Sequence, residues 1–126
     1  MTAAIADACA LIVFLSDPGA AWLMPGAYPT MAGGTVYVPA TVVWEISRKV
    51  RIGKLPPIGR SLPELLTSQG FSFLPLTWEI AEAAEALPAI HNDPFDRILV
   101  AHALAASLPI LTSDREIPKY GVRTIW

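Results

Sequence analysis

Short apolar runs and helix-periodic stretches alternate along this chain, and that alternation leaves few folds open. Residues 3–6 are apolar and lead into a helix-like stretch, 8–16, with Asp17-Pro18 as its stop. Thr35-Val36-Tyr37-Val38 is β-branched and aromatic, a strand signal. Residues 41–50 follow with Val42, Ile46 and Val50 at i, i+4 and i+8, which predicts a helix. A second strand is expected over 71–76, with Thr77 capping a helix that runs through Leu87. A helix over 94–107 and strands at 110–112 and 122–126 complete the pattern. Runs such as 3–6 and 108–111 are apolar throughout, as strands covered on both faces are. The expected fold is α/β, a three-layer α/β/α sandwich around a mainly parallel sheet, in one domain over 1–126.

Composition removes several classes. Hydrophobic residues make up 53% and charged residues only 16%, against about 25% in ordinary domains. A chain this apolar does not read as disordered. The net charge of -2 argues against nucleic-acid binding through bulk positive charge. No apolar stretch approaches the roughly 18 residues of a membrane helix. No Lys or Arg precedes Arg48 and Asp7 interrupts the first apolar stretch, so a cytoplasmic protein with no membrane association is expected. Cys9 is the single cysteine, so no internal disulfide can form, and no Cys/His spacing suits zinc. The apolar excess is expected to cover a dimer face or a partner groove.

With so few charges, their positions carry information. In open parallel sheets ligands bind beyond the carboxyl ends of the strands. Asp7 follows the first strand directly, and Asp114 lies just after 110–112. Glu45 sits about one turn into the helix after Val38, while Asp93 and Asp96 open the helix before 108–111. Each has a plainer role available. Asp7 and Asp93 are candidate N-caps, Asp93 with Pro94 at the first helical position. Glu45 can pair with Lys49, Asp96 suits a helix dipole, and Asp114 suits a turn. Together they would repel one another, and a divalent cation held by carboxylate oxygens and water removes that conflict. Such an ion can activate water and stabilise phosphoryl displacement, which points to phosphate ester or phosphodiester hydrolysis. His102, six residues past Asp96, reads as structural, and His91 as a loop residue near Asp93, on the surface or touching substrate.

Arg48, Lys49, Arg51, Lys54 and Arg60 place five of the nine basic residues within 13 positions, and no acid lies between Glu45 and Glu64. A basic stripe beside an acidic pocket suits a polyanion. A solvated charge run is the alternative.

The stretches Val43-Trp44-Glu45-Ile46, Lys49-Val50-Arg51-Ile52-Gly53-Lys54-Leu55, Asp93-Pro94-Phe95-Asp96-Arg97, Leu111-Thr112-Ser113-Asp114-Arg115 and Tyr120-Gly121-Val122, with Asp7 after its apolar run, resemble PIN-domain proteins. They are most similar to the VapC-like toxins of bacterial toxin–antitoxin pairs. The resemblance implies a Mg²⁺- or Mn²⁺-dependent endoribonuclease that acts as a homodimer on RNA and is silenced by a cognate antitoxin protein. It makes Asp7, Glu45, Asp96 and Asp114 the four catalytic acids, with Asp7, Asp96 and Asp114 on the metal. Asp93 corresponds to a helix-opening acid and Thr112 to a supporting hydroxyl. Arg97 and Arg115, with Arg48, Lys49, Arg51 and Lys54, would contact RNA phosphates or orient carboxylates.

Two departures stand out. Ala8-Cys9 follow the first acid where the family often has Thr and a polar residue. The segment 18–34, usually a helix, holds Pro18, Pro25, Pro29, Gly33 and Gly34, so a shortened or broken helix is expected. The rival readings are a catalytically silent PIN-like binding module and a phosphoacceptor receiver domain. The receiver reading is weakened because Asp7 has no acidic neighbour.

Overall fold

The computed structural model describes residues 2–17 and 19–126. Five strands, β1 (Ala3–Ala6), β2 (Thr35–Pro39), β3 (Ser72–Leu74), β4 (Ile110–Leu111) and β5 (Thr124–Ile125), form one sheet in the order β3-β2-β1-β4-β5. Every pairing is parallel. The central strand β1 aligns Ile5 with Tyr37 on one side and with Ile110 on the other. Ala4, Ile5 and Ala6 are fully buried, as the continuous apolar run requires. Flanking helices are α1 (Ala8–Ser16), α2 (Ala20–Leu23), α3 (Tyr28–Gly33), α4 (Ala40–Arg51), α5 (Leu62–Ser68), α6 (Trp78–Ala86) and α7 (Pro94–Ala106). Leu11, Met24, Val100, Ile110, Leu111 and Ile117 complete the interior around Ile5.

The chain steps outward from β1 to β2 and β3, then returns to place β4 and β5 on the other side. Strand order thus reverses between β1 and β4, and the crevice beyond their carboxyl ends is where such sheets bind ligands. Asp7 and Thr112 are the first residues past those two ends. Receiver domains follow the order 2-1-3-4-5, so the receiver alternative is excluded.

The Pro-rich segment forms two short helices, α2 and α3, where a broken helix was expected; Pro18 itself lies outside the described residues. Helix α5 is an addition to the expected pattern. Pro63, which reads as a breaker, stands in its first turn, where a missing N–H is harmless, and Ser61 caps it by accepting from Glu64 N at 3.4 Å. The strands at 72–74, 110–111 and 124–125 are shorter than expected. Leu74 is followed by Pro75 and Ile110 preceded by Pro109, and neither proline has an N–H to extend a ladder. At Gly34 a Cβ would strike the Thr2 carbonyl, so glycine lets the start of β2 lie against β1. Among the described residues, no helix is long and apolar enough to cross a membrane.

Candidate metal centre

Asp7 leaves β1 in extended backbone and caps α1, its Oδ1 accepting from Ala10 N at 2.8 Å. Its own N–H donates to the Leu111 carbonyl at 3.2 Å, so the two strand ends are tied together. The Thr112 hydroxyl, on a side chain only 2% exposed, donates to the Asp7 carboxylate and accepts from Asp114 N at 3.1 Å. Thr112 therefore sets the positions of both acids.

Asp93 caps α7, accepting from Phe95 N at 2.8 Å with Pro94 in the first turn, which is its expected local role. The cap places Asp96 in the same first turn, facing Asp114. Between them stands His91. Its Nε2 is 3.1 Å from Asp114 Oδ2 and 3.4 Å from Asp96 Oδ2. One donor atom from each of His91, Asp96 and Asp114 lies within 4.8 Å of the others. Asp114 is aimed by its second oxygen, Oδ1, which accepts from Glu116 N at 2.8 Å.

The electrostatics record crowded negative charge. Asp96 is pushed up to about 7, first by burial and then by Asp93, with Glu45 and Asp114 adding and His91 opposing. Burial also raises Asp7; the Thr112 and Ala10 hydrogen bonds offset part of this, while Glu45 and Asp114 add to it. His91 is pulled down by burial, but its hydrogen bond to Asp114 and the charges of Asp96, Asp114 and Asp93 outweigh that and raise it. Asp7 and Glu45 thus belong to the same electrostatic neighbourhood, although the tight group is His91, Asp96 and Asp114. Two carboxylate oxygens and an imidazole nitrogen, with raised carboxylate pKa values around them, form a donor set that a divalent cation fits.

Glu45 makes the helical ion pair open to it. Its Oε2 is 3.1 Å from Lys49 Nζ along α4, and its charge reaches Asp7 and Asp96. Arg48 and Arg51 are exposed in the last turn of α4 with Lys49, where cations also favour the helix dipole, and Lys54 and Arg60 are exposed beyond it. Arg115 is exposed next to Asp114.

Arg97 departs from expectation. Its Nη1 donates to the carbonyls of Pro88 (3.0 Å) and His91 (3.1 Å), and its Nη2 to those of Glu85 (3.1 Å) and Leu87 (2.8 Å). A guanidinium fixed on four carbonyls is a staple for the loop between α6 and α7, which corrects the phosphate contact expected of it. That loop carries His91, whose N–H donates to the Tyr120 hydroxyl at 2.7 Å. His91 is the site residue that the sequence places on the surface or against substrate, and not beside the acids. The only local signal was its place five residues before Asp96; the anchor that turns it inward lies 29 residues away. His102 is buried within α7, as expected of a structural residue.

Fold and site together define an α/β protein with a carboxylate-rich cluster at its topological switch point. The PIN domain family model matches residues 4–122, and the chain belongs to that family. The same fold occurs in a toxin–antitoxin complex from Klebsiella pneumoniae (TM-score 0.63, 18% identity, covering 91% of this chain and 89% of that one). It occurs also in FitAcB from Neisseria gonorrhoeae (TM-score 0.66, 17% identity, 97% and 96% covered). A third example is VapBC2 from Rickettsia felis bound to a promoter DNA fragment (TM-score 0.64, 9% identity, 98% and 97% covered). No curated protein sequence matches the chain significantly.

Proposed function

We propose that this PIN domain is the toxin of a toxin–antitoxin pair, an endoribonuclease that hydrolyses RNA phosphodiester bonds with Mg²⁺ or Mn²⁺. The observation that carries the reading is the meeting of Asp96 and Asp114 at the switch point, with Asp7 behind them on Thr112. In this reading Asp7, Asp96 and Asp114 hold the ion, directly or through water. When bound, the ion supplies charge stabilisation at the scissile phosphate and an acidified water. Glu45 orients or deprotonates the attacking water, held in place by Lys49. Arg48, Arg51 and Lys54 track the RNA backbone, and Arg115 meets phosphate beside Asp114.

Partner surfaces support the same reading. A hollow of about 280 Å³, lined by Ile12, Leu15, Ile46, Val50, Leu55 and Leu62, borders the helix that carries Glu45 and suits an apolar antitoxin segment. One of the three solved structures named above is, by its own description, a toxin–antitoxin complex. Phe73 (71% exposed) and Trp78 (91%) are apolar side chains that a second copy of the chain would cover, which sedimentation of the purified protein would reveal as a dimer.

The deciding experiment incubates antitoxin-free protein with single-stranded and structured RNA, with Mg²⁺, Mn²⁺ or EDTA. Cleavage that needs the metal and disappears in Asp7→Ala and Asp96→Ala is expected. Absence of cleavage under every condition would return the chain to the silent binding module, and activity indifferent to those substitutions would remove this site from the reaction.

A further inference from the structure

We propose that His91 is a nitrogen ligand of the metal centre, making it a mixed nitrogen–oxygen site that prefers a first-row transition ion such as Mn²⁺ to Mg²⁺. The inference rests on the metal-dependent reading above and adds to it a ligand and an ion preference. Adjacent ligands on a small octahedral ion, with bonds of about 2.1 Å, stand roughly 3 Å apart. His91 Nε2 lies 3.1 Å from Asp114 Oδ2 and 3.4 Å from Asp96 Oδ2, spacings close to the edges of such a coordination sphere.

The imidazole is held there by other parts of the chain. Tyr120 accepts from the His91 N–H at 2.7 Å, and Arg97 donates to the His91 carbonyl at 3.1 Å while pinning the preceding turns of the loop. Both anchors grip backbone atoms, so the placement of His91 in the loop is built by elements outside it, and the ring reaches the two acids from there. The side chains of His91, Asp96 and Asp114 are 24%, 21% and 32% exposed, which leaves an open face for water or phosphate oxygen. Mg²⁺ prefers carboxylate and water oxygens alone, whereas Mn²⁺ shares those ligands but, as a transition ion, also takes an imidazole nitrogen.

The competing account makes His91 a cation that stands in for the metal and must be displaced by it. The two accounts differ in sign. Loss of a ligand weakens binding, while loss of a competitor strengthens it for every ion. Purified full-length protein at about pH 8 is titrated with Mn²⁺ and with Mg²⁺ by calorimetry, alongside His91→Ala, His91→Gln and Asp96→Asn. Because the anchors reach backbone atoms, both His91 variants should keep the native circular dichroism spectrum. The expected result is a loss of about tenfold or more in Mn²⁺ affinity in both His91 variants, with a smaller change for Mg²⁺. Pulsed electron paramagnetic resonance of bound Mn²⁺ should show nitrogen coupling in the wild type that vanishes in His91→Ala. His102, the other histidine, is buried at 3% exposure and does not belong to the cluster. Unchanged or tightened Mn²⁺ binding, or no nitrogen coupling, overturns the assignment of His91. If Asp96→Asn abolishes binding while the His91 variants bind normally, this inference alone falls. If the wild type binds neither ion, the metal-dependent reading falls with it.

Discussion

Replacing Asp96 by Asn should stabilise the metal-free protein at alkaline pH, although it removes a proposed metal ligand. The Asp96 carboxyl is raised from 3.8 to about 7 in the folded protein, chiefly by burial and by Asp93. At about 1.4 kcal/mol per unit the ceiling is roughly 4 kcal/mol, and with 21% of the side chain in solvent about 1–3 kcal/mol is the realistic range. The folded value lies above the unfolded one, so between 3.8 and about 7 the native state holds a proton that the unfolded chain has lost. Stability therefore falls as pH rises through that window and levels off above it. His91, also raised, acts in the same direction: its stabilisation is present below the ordinary histidine range and lost as pH climbs through the folded value. Asn keeps the shape and has no proton to lose. Urea melts in EDTA at about pH 5 and about pH 8 should show the wild type losing about 1–3 kcal/mol more than Asp96→Asn between the two. Saturating Mn²⁺ should reverse the order at about pH 8, because a ligand at 100 times its Kd adds about 2.7 kcal/mol to the protein that binds it. An equal decline in both proteins, or a steeper one in the variant, would refute the claim that Asp96 is held charged at a cost.

Three other substitutions separate the roles of neighbouring residues. Asp93→Ala removes the α7 cap and should lower stability by about 1 kcal/mol at about pH 5, with a smaller loss at about pH 8 because Asp96 is relieved of a negative neighbour; chemical denaturation at both values checks this. Arg97→Lys leaves several of the four carbonyls without a donor, and should destabilise by about 1–2 kcal/mol and speed amide exchange across 85–91. His102 is lowered by burial, and its Nε2 has no partner among the described residues. The unfolded chain then takes up a proton that the folded one refuses, so as pH falls below the ordinary histidine range the wild type should lose up to about 1.4 kcal/mol per unit relative to His102→Leu, a difference readable from paired melts over about pH 5–7.

What was legible in the residues follows the range of the forces involved. Asp7, Thr77 and Asp93 cap helices as their positions suggest, because a cap is a contact over two or three residues. The alternation of strands and helices was also readable, since burial on both faces of a sheet writes itself as unbroken apolar runs. Helix α5 was hidden because Pro63 signals a break, and only Leu62 and Leu66 packing into the core shows that it sits at a start. The contacts of Arg97 and His91 are hidden in the sequence for a related reason. Nothing within a few residues of either reveals that one guanidinium will hold four carbonyls, or that Tyr120 will turn a loop histidine toward two acids. Of the two readings Glu45 offers, the pair with Lys49 is the one visible over four residues, while its charge acts on Asp7 and Asp96 from another element.

The way compensation is distributed among the acids explains why Asp96 is the most perturbed of them. Asp7 accepts from Ala10 N, Asp93 from Phe95 N and Asp114 from Glu116 N, so each carries a hydrogen bond from the backbone. For Asp96 the contact described is His91 at 3.4 Å, with no backbone donor. A carboxylate without such donors, buried among other carboxylates, is the position where an added cation gains most, since it offsets repulsion that the protein does not otherwise relieve. The net charge of -2 conceals this arrangement, because nine bases nearly balance eleven acids over the whole chain while the pocket itself stays acidic. The same imbalance makes Asp96→Asn the substitution that should raise stability and abolish metal binding together, and a protein in which those two effects separate would not be using this pocket for a cation.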